Sequence, residues 1–196
     1  MPAYFEFEVE IKEIKPKVWR RFLLRQPASM YDLHRAIQAC GWQECHLWFF
    51  GRDYRKQVAV DTRAEEDVDG IPDARDVPVS RLFKKKGDRL LYVYDYGDDW
   101  HHDVTYVGKR KMESDAQRIL LDGARAFPCE DMGGIPGYER GSQASKGMGI
   151  FADPVDRQDL LDWLNGWDPE KFDLQSERVS FGRSRVDESD SESYFG

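Results

Sequence analysis

From residue 4 to residue 14 the chain alternates: Phe5, Phe7, Val9 and Ile11 fall on one side, and Glu6, Glu8, Glu10 and Lys12 on the other. Successive side chains of a strand point to opposite faces, so a period of two makes this a β-strand with one apolar and one wet face. The apolar face needs cover, which later segments must supply as partner strands and a packing layer. Lys15-Pro16 breaks the alternation, because Pro donates no ladder hydrogen bond. A second strand, residues 18–25, carries Trp19, Arg20 and Arg21, and Trp19 is expected to be largely buried, with Trp42, Trp100 and Ile37.

The packing layer starts with a helix. Ser29 precedes Met30, Leu33, Ile37 and Cys40, whose spacing makes one apolar stripe, and Gly41 stops it. Residues 45–50 read as a short aromatic strand, with 57–60 returning beside it. Residues 61–76 are a loop by composition, with seven acids against two arginines. A helical turn at 79–83 leads to Lys84-Lys85-Lys86. Strands at 90–96 and 100–107 form a hairpin around Gly97-Asp98-Asp99, and 118–121 is a further short strand. Six glycines and two prolines make 127–149 a long shaped loop. Asp153-Pro154 opens a helix with Leu160, Leu161, Trp163 and Leu164 on its apolar face, and Asp168-Pro169 opens a short turn. Strands without regular βαβ alternation predict an α+β fold: a mostly antiparallel, curved sheet with two or three packed helices, in one domain over 1–182. Residues 183–196, with four serines, four acids and Val186 as the one aliphatic residue, read as a disordered tail.

Charge narrows the partners. Lys plus Arg is 29 and Asp plus Glu is 37 in 196 residues, a net charge of −8. Phosphates reward Lys and Arg, so nucleic acid and anionic membrane are disfavoured as default partners unless a local basic patch overrides the average, and a protein is one candidate partner. No apolar run is long enough to span a bilayer, and the charged N-terminal strand is no signal peptide. Three cysteines are too few for a disulfide scaffold, and a cytoplasmic setting is expected.

Two segments carry chemistry. If Asp98-Asp99 are the turn residues of the hairpin, Asp95 faces His102 across it. An Asp beside a His fixes the imidazole tautomer, as a general base or metal ligand requires. The same pair also serves simply to satisfy two polar groups at a core rim. A turn at Gly97-Asp98 would set Asp95 opposite Trp100 instead. The second segment is Glu130-Asp131, followed by Gly133-Gly134, which suits an acidic site with close backbone approach. Asp95, His102, Glu130 and Asp131 are therefore the catalytic candidates, with His102 and Asp95 the candidate metal ligands. A divalent metal is the cofactor these groups admit, and zinc suits one imidazole with carboxylates. Cys40 and Cys45-His46 lack the spacing of a zinc pair. Arg20, Arg21, Arg25, Arg35 and Lys84 to Lys86 could form a basic patch or a solvated surface.

In order along the chain, several blocks form a recognisable set: Ile14-Lys15-Pro16-Lys17-Val18-Trp19-Arg20-Arg21; Gly41-Trp42 with His46-Leu47; Tyr92-Val93-Tyr94-Asp95-Tyr96-Gly97-Asp98-Asp99-Trp100-His101-His102; Glu130-Asp131-Met132-Gly133-Gly134 with Gly137-Tyr138; and Trp167-Asp168-Pro169 through Asp173. Over roughly residues 4–175 the chain resembles the plasmid pRiA4b ORF-3-like family. The resemblance implies a compact α+β domain and relatives on plasmids and mobile elements, and it assigns no reaction. It marks Trp19, Arg20, Arg21, His46, Asp98, Trp100, Gly133, Gly134 and Tyr138 as binding candidates. The sequence departs from the family at Trp48, at Asp98-Asp99 where Asp-Gly is common, and at Cys129. The expected function is a binding or accessory module associated with mobile elements. Beside it stand a metal-assisted or acid/base hydrolase using the Asp/His/Glu cluster, and a nucleic-acid accessory protein using the basic residues.

One expectation is testable without a structure. A chain truncated after Gly182 melts at the same temperature as the full chain, because the tail has too little apolar surface to pack. A loss of several degrees by scanning calorimetry would show that it docks.

Overall fold

The computed structural model describes residues 1–64 and 70–182; the tail at 183–196 lies outside the described residues. The alternating segment becomes β1 (Ala3–Ile11), flanked by β2 (Val18–Arg25) and by the longest strand, β6 (Trp100–Lys111). With β3 (Trp48–Gly51), β4 (Gln57–Val60), β5 (Arg89–Tyr94) and β7 (Arg118–Ala124) these strands form one antiparallel sheet of order β4-β3-β5-β6-β1-β2-β7. Phe5, Phe7, Val9 and Ile11 are buried, as their alternation demands. Glu6 is buried too, because Arg21 and Arg110 reach its carboxylate at 2.8 and 2.9 Å.

Helix α1 (Met30–Gln38) covers the apolar face. Ser29 and Asp32 form a reciprocal capping box at its start, and Met30, Leu33 and Ile37 point inward. His34 is also buried: its ring stacks on Trp48 at 3.8 Å, with Nδ1 2.8 Å from the Tyr92 hydroxyl. A 3-10 turn (Ala74–Asp76) and the four-residue α2 (Val79–Leu82) follow. The remaining helices are α3 (Gly134–Ser145), α4 (Pro154–Leu164) and α5 (Leu174–Gly182). The architecture is α+β, as expected, with five helices among the described residues where two or three were expected.

Three expectations need correction. Residues 127–149 are not one long loop, because α3 occupies half of them. Its glycines serve packing: a Cβ at Gly137 would stand 1.7 Å from the Met132 carbonyl oxygen, and one at Gly141 2.8 Å from Met132 Cε. Trp19 is only half-buried, since it alternates outward between Val18 and Arg20. Arg20 belongs to no surface patch. It is 1% exposed, its Nη1 donates to the carbonyls of Trp19, Ala124 and Arg125, and its guanidinium lies over the rings of Phe127 and Phe172. The three carbonyls and Glu177 at 3.5 Å satisfy a charge that would otherwise be costly to bury.

Helix α5 lies along the outer strand. The Arg178 guanidinium donates from Nε to the Leu120 carbonyl at 2.8 Å and from Nη2 to the Leu121 carbonyl at 3.2 Å. Arg118 Nε in turn donates to the Phe181 carbonyl at 2.7 Å.

Trp100, 1% exposed and packed on Trp42, anchors the centre of the sheet, whereas Trp163 on α4 is half exposed. Trp100→Ala lowers the urea-unfolding free energy by ~3–5 kcal/mol. Trp163→Ala changes it by no more than about 0.5 kcal/mol.

Candidate functional site

β5 ends at Tyr94, three residues earlier than a two-residue turn at Asp98-Asp99 requires, and β6 begins at Trp100. Residues 95–99 make the turn. Asp95 and Asp99 both adopt left-handed backbone, with φ of 58° and 57°, and the Asp99 N–H donates to the Asp95 carbonyl at 2.7 Å. Asp tolerates this conformation because its side chain bonds its own turn. Here Asp95 Oδ1 accepts from the N–H groups of Gly97 and Asp98 at 2.8 and 3.3 Å.

The longer turn changes the strand register. Tyr92 faces His102 and Tyr94 faces Trp100, so the expected Asp95–His102 pair does not exist. His102 is fully buried on the core side. Its Nε2 accepts from Trp42 Nε1 at 3.2 Å, and its Nδ1 lies 3.2 Å from the Tyr92 carbonyl. It is a core histidine whose two ring nitrogens are both taken, not a metal ligand or general base.

A different histidine meets Asp95. His46 lies in the connection between α1 and β3, two residues before Trp48, which faces Tyr94 in the ladder. That pairing brings the connection to the turn end of β5, where the Asp95 N–H donates to the Leu47 carbonyl at 2.9 Å. His46 Nε2 lies 3.6 Å from Asp95 Oδ2, 3.8 Å from Glu130 Oε2 and 3.3 Å from Asp131 Oδ1. The Glu130 loop is latched there. Gly133 N–H donates to Asp98 Oδ2 at 2.8 Å, and a Cβ at Gly134 would stand 2.5 Å from the Asp98 carbonyl oxygen. Only glycine permits that approach, and Gly134 also has a left-handed φ of 64°.

The two buried carboxylates share one pattern. Glu130 Oε1 accepts from the Gln43 N–H at 2.5 Å and the Tyr94 hydroxyl at 3.0 Å, while Oε2 is buried and has no hydrogen-bond partner among the described residues. Asp95 Oδ1 is held by its turn, and Oδ2 faces His46. The Glu130 and Asp95 side chains are 7% and 9% exposed, against 75% for Asp131. Burial pushes the Glu130 carboxyl up, against the pull of its two donors. Cys45 Sγ lies 3.7 Å from the Tyr94 hydroxyl, and burial raises its thiol, so it is not an activated thiolate. Two three-residue groups have ligand atoms close enough to share an ion: His46, Asp95 and Asp131; and Cys45, His46 and Glu130.

Of the binding candidates, His46, Asp98, Gly133 and Gly134 belong to this site or its latch. Trp100 lies in the core beneath it. Tyr138 is buried against Trp167, while Trp19, Arg20 and Arg21 are engaged around β2. Sequence reasoning missed Tyr94 and Gln43, which orient Glu130. Tyr94 sits inside a motif block, but only the register shows that its hydroxyl points at the loop.

The fold and its cluster define an α+β protein on a seven-stranded antiparallel sheet, with an imidazole and three carboxylates at one hairpin end. A family model described as plasmid pRiA4b ORF-3-like protein matches residues 3–176, and the chain belongs to that family. It is similar to the uncharacterized protein y4hQ of Sinorhizobium fredii, 28% identical over 165 residues, which cover 82% of this chain and 80% of that one. Its fold is also that of MM3350 from Methanosarcina mazei Go1, a protein of unknown function known from a crystal structure. That match has a TM-score of 0.73 and 29% identity, and covers 90% of this chain and 98% of the other. Among the described residues no helix is long and apolar enough to cross a membrane.

Burial pushes the His102 imidazole down from 6.5 to about 4, so the fold holds it neutral. Its contribution to stability is complete above pH 6.5 and is lost as pH falls through the range down to about 4, an effect on the order of 3 kcal/mol. Burial shifts His34 in the same direction. Urea-unfolding free energy therefore declines over that window. His102→Gln is less stable at pH 7 and shows a shallower acid slope; an unchanged slope would exclude a buried neutral His102.

Proposed function

We propose that this chain is a binding module organised around one divalent cation, held by His46 Nε2 and one oxygen each from Asp95, Glu130 and Asp131. The observation that carries this reading is Glu130 Oε2, buried without a hydrogen-bond partner beside an unpartnered imidazole nitrogen. A buried carboxylate oxygen left without a donor costs ~1–3 kcal/mol or more, and a cation removes that cost. Charge supports the same reading: one imidazole, even protonated, cannot balance three carboxylates. So does spacing, since ligands ~2.0–2.2 Å from one ion stand roughly 2.8–3.6 Å apart in octahedral to tetrahedral geometry. The separations from His46 Nε2 are 3.3 to 3.8 Å, and His46 is common to the Asp95–Asp131 group and the Glu130 group, so an ion shared by all four draws the Glu130 carboxylate toward the other two. A mixed imidazole and carboxylate set suits Zn²⁺ or Mn²⁺ better than Mg²⁺, which prefers oxygen and keeps its water.

Asp131 and the partly exposed His46 leave the outer side of the ion open for a partner's carboxylate or carbonyl group. The same opening favours metal-assisted hydrolysis as a second reading, because a bound water there has its pKa lowered toward about 7. We read the module as one associated with mobile elements and placed in the cytoplasm; the plasmid reading frame in the family's name supports the first and three free thiols support the second.

Isothermal titration calorimetry with ZnCl₂ or MnCl₂ alone tests this. The parent chain takes up one ion. His46→Ala abolishes uptake without loss of fold by circular dichroism. Tyr94→Phe, which keeps every ligand but frees Glu130, weakens binding by roughly tenfold or more. A parent chain that takes up no ion, or uptake that survives His46→Ala, refutes the proposal.

A further inference from the structure

The end of β5 remote from the His46 cluster carries the opposite charge. A cavity of about 420 Å³ opens between the turn after β3, helix α2 and the connection into β5. Among the described residues, Arg52, Arg81, Lys84, Lys85 and Arg89 line it, against one carboxylate, Asp88. All five cations are exposed, and none is held in a salt bridge among the described residues. Asp88 is already engaged: its Oδ2 accepts from the backbone N–H groups of Lys84 and Lys85 at 2.7 and 2.9 Å, and these bonds hold its carboxyl below the usual range. The remainder of the lining is apolar: Val58, Leu82 and Leu90, each half-buried.

We infer that this groove binds a compact ligand carrying two or more phosphates, of the nucleoside polyphosphate class. Five cations converging from three chain segments repel one another. That repulsion is relieved by an anion of matching charge density, and Arg and Lys donors make their strongest hydrogen bonds to phosphate oxygens. A volume of 420 Å³ lies in the range of small-molecule sites, and the apolar side offers a surface to the organic part of the ligand. The net charge of −8 limits the ligand's length. Screening confines the groove's positive field to ~8–10 Å at physiological salt, so a long polyanion would run onto an acidic surface. Among the described residues no aromatic side chain lines the groove, which leaves nothing there for successive bases of a single strand to stack on.

The test uses the full chain in EDTA, which keeps any metal at the His46 cluster from recruiting phosphate and makes the outcome independent of the metal reading. Pyrophosphate, ATP, AMP and a twenty-nucleotide single-stranded DNA are titrated by calorimetry at low and physiological salt. Pyrophosphate and ATP bind, ATP more tightly than AMP, and affinity falls as salt rises. Arg81→Gln and Lys84→Gln each weaken ATP binding by about tenfold without changing the melting temperature. Three results overturn the inference: neither pyrophosphate nor ATP binds at low salt; ATP binding survives both substitutions together; or the oligonucleotide binds more tightly than ATP, which would make the groove a nucleic-acid track.

Discussion

The five-residue turn at the end of β5 sets the geometry of everything at that end of the molecule. A two-residue turn would have continued the ladder through Asp95 and carried its carboxylate into the hairpin. Instead the chain enters a left-handed conformation at Asp95 and again at Asp99. Each costs on the order of 1–2 kcal/mol for a residue with a Cβ, offset by the N–H groups that Asp95 Oδ1 gathers. The consequence is directional. Asp95 leaves the sheet with one oxygen committed and one free, and Asp98 projects far enough to catch the Gly133 N–H. The loop that brings Glu130 is thus held by the same turn that presents Asp95.

Beneath the turn, an aromatic layer continues into the site. Trp42, Tyr94, Trp100, His102 and Phe127 pack against one another with ring centroids 5.0 to 6.4 Å apart. Polar edges run through this layer. The Trp42 indole N–H is spent on His102, which locks the Trp42 backbone and so places the next N–H, that of Gln43, against Glu130. Tyr94 turns its ring to the core and its hydroxyl to the same carboxylate. A disturbance of the core therefore reaches Glu130 by two short routes, which fits the reluctance of close-packed interiors to deform locally.

The first strand, the capped helix α1 and the helix opened by Asp153-Pro154 were legible, because each depends on local chemistry. The alternation of Phe5 to Ile11, the Ser29 box and the Asp153 cap need only their neighbours in the chain. Helix α3 was not legible, because Gly137 and Gly141 read as loop formers until Met132 is seen packed against them. The hairpin was recognised, but a turn longer than the assumed two residues moved the register by three and set His102 opposite Tyr92 instead of Asp95, since an odd shift exchanges which β5 side chains share its face. At the site, Asp95, Glu130 and Asp131 were named together, but with His102 as their histidine; His46 was named apart from them. His46 reaches Asp95 because β3 inserts beside β5, a pairing between distant segments that no local pattern encodes.

The outer strands have a consequence for life in a crowded solution. An exposed strand edge offers unpaired carbonyls and N–H groups to any extended chain, and is the usual starting point for intermolecular sheet growth. Here β4 is only four residues long with a register irregularity, and so makes a poor template. At the other edge, Arg178 occupies the carbonyls of Leu120 and Leu121 with a charged group that a strand backbone cannot easily displace. Helix α5, outside the sheet and remote from the His46 cluster, thereby acts as a guard against self-association, and an uncharged residue at position 178 would leave those two carbonyls open to a neighbouring molecule.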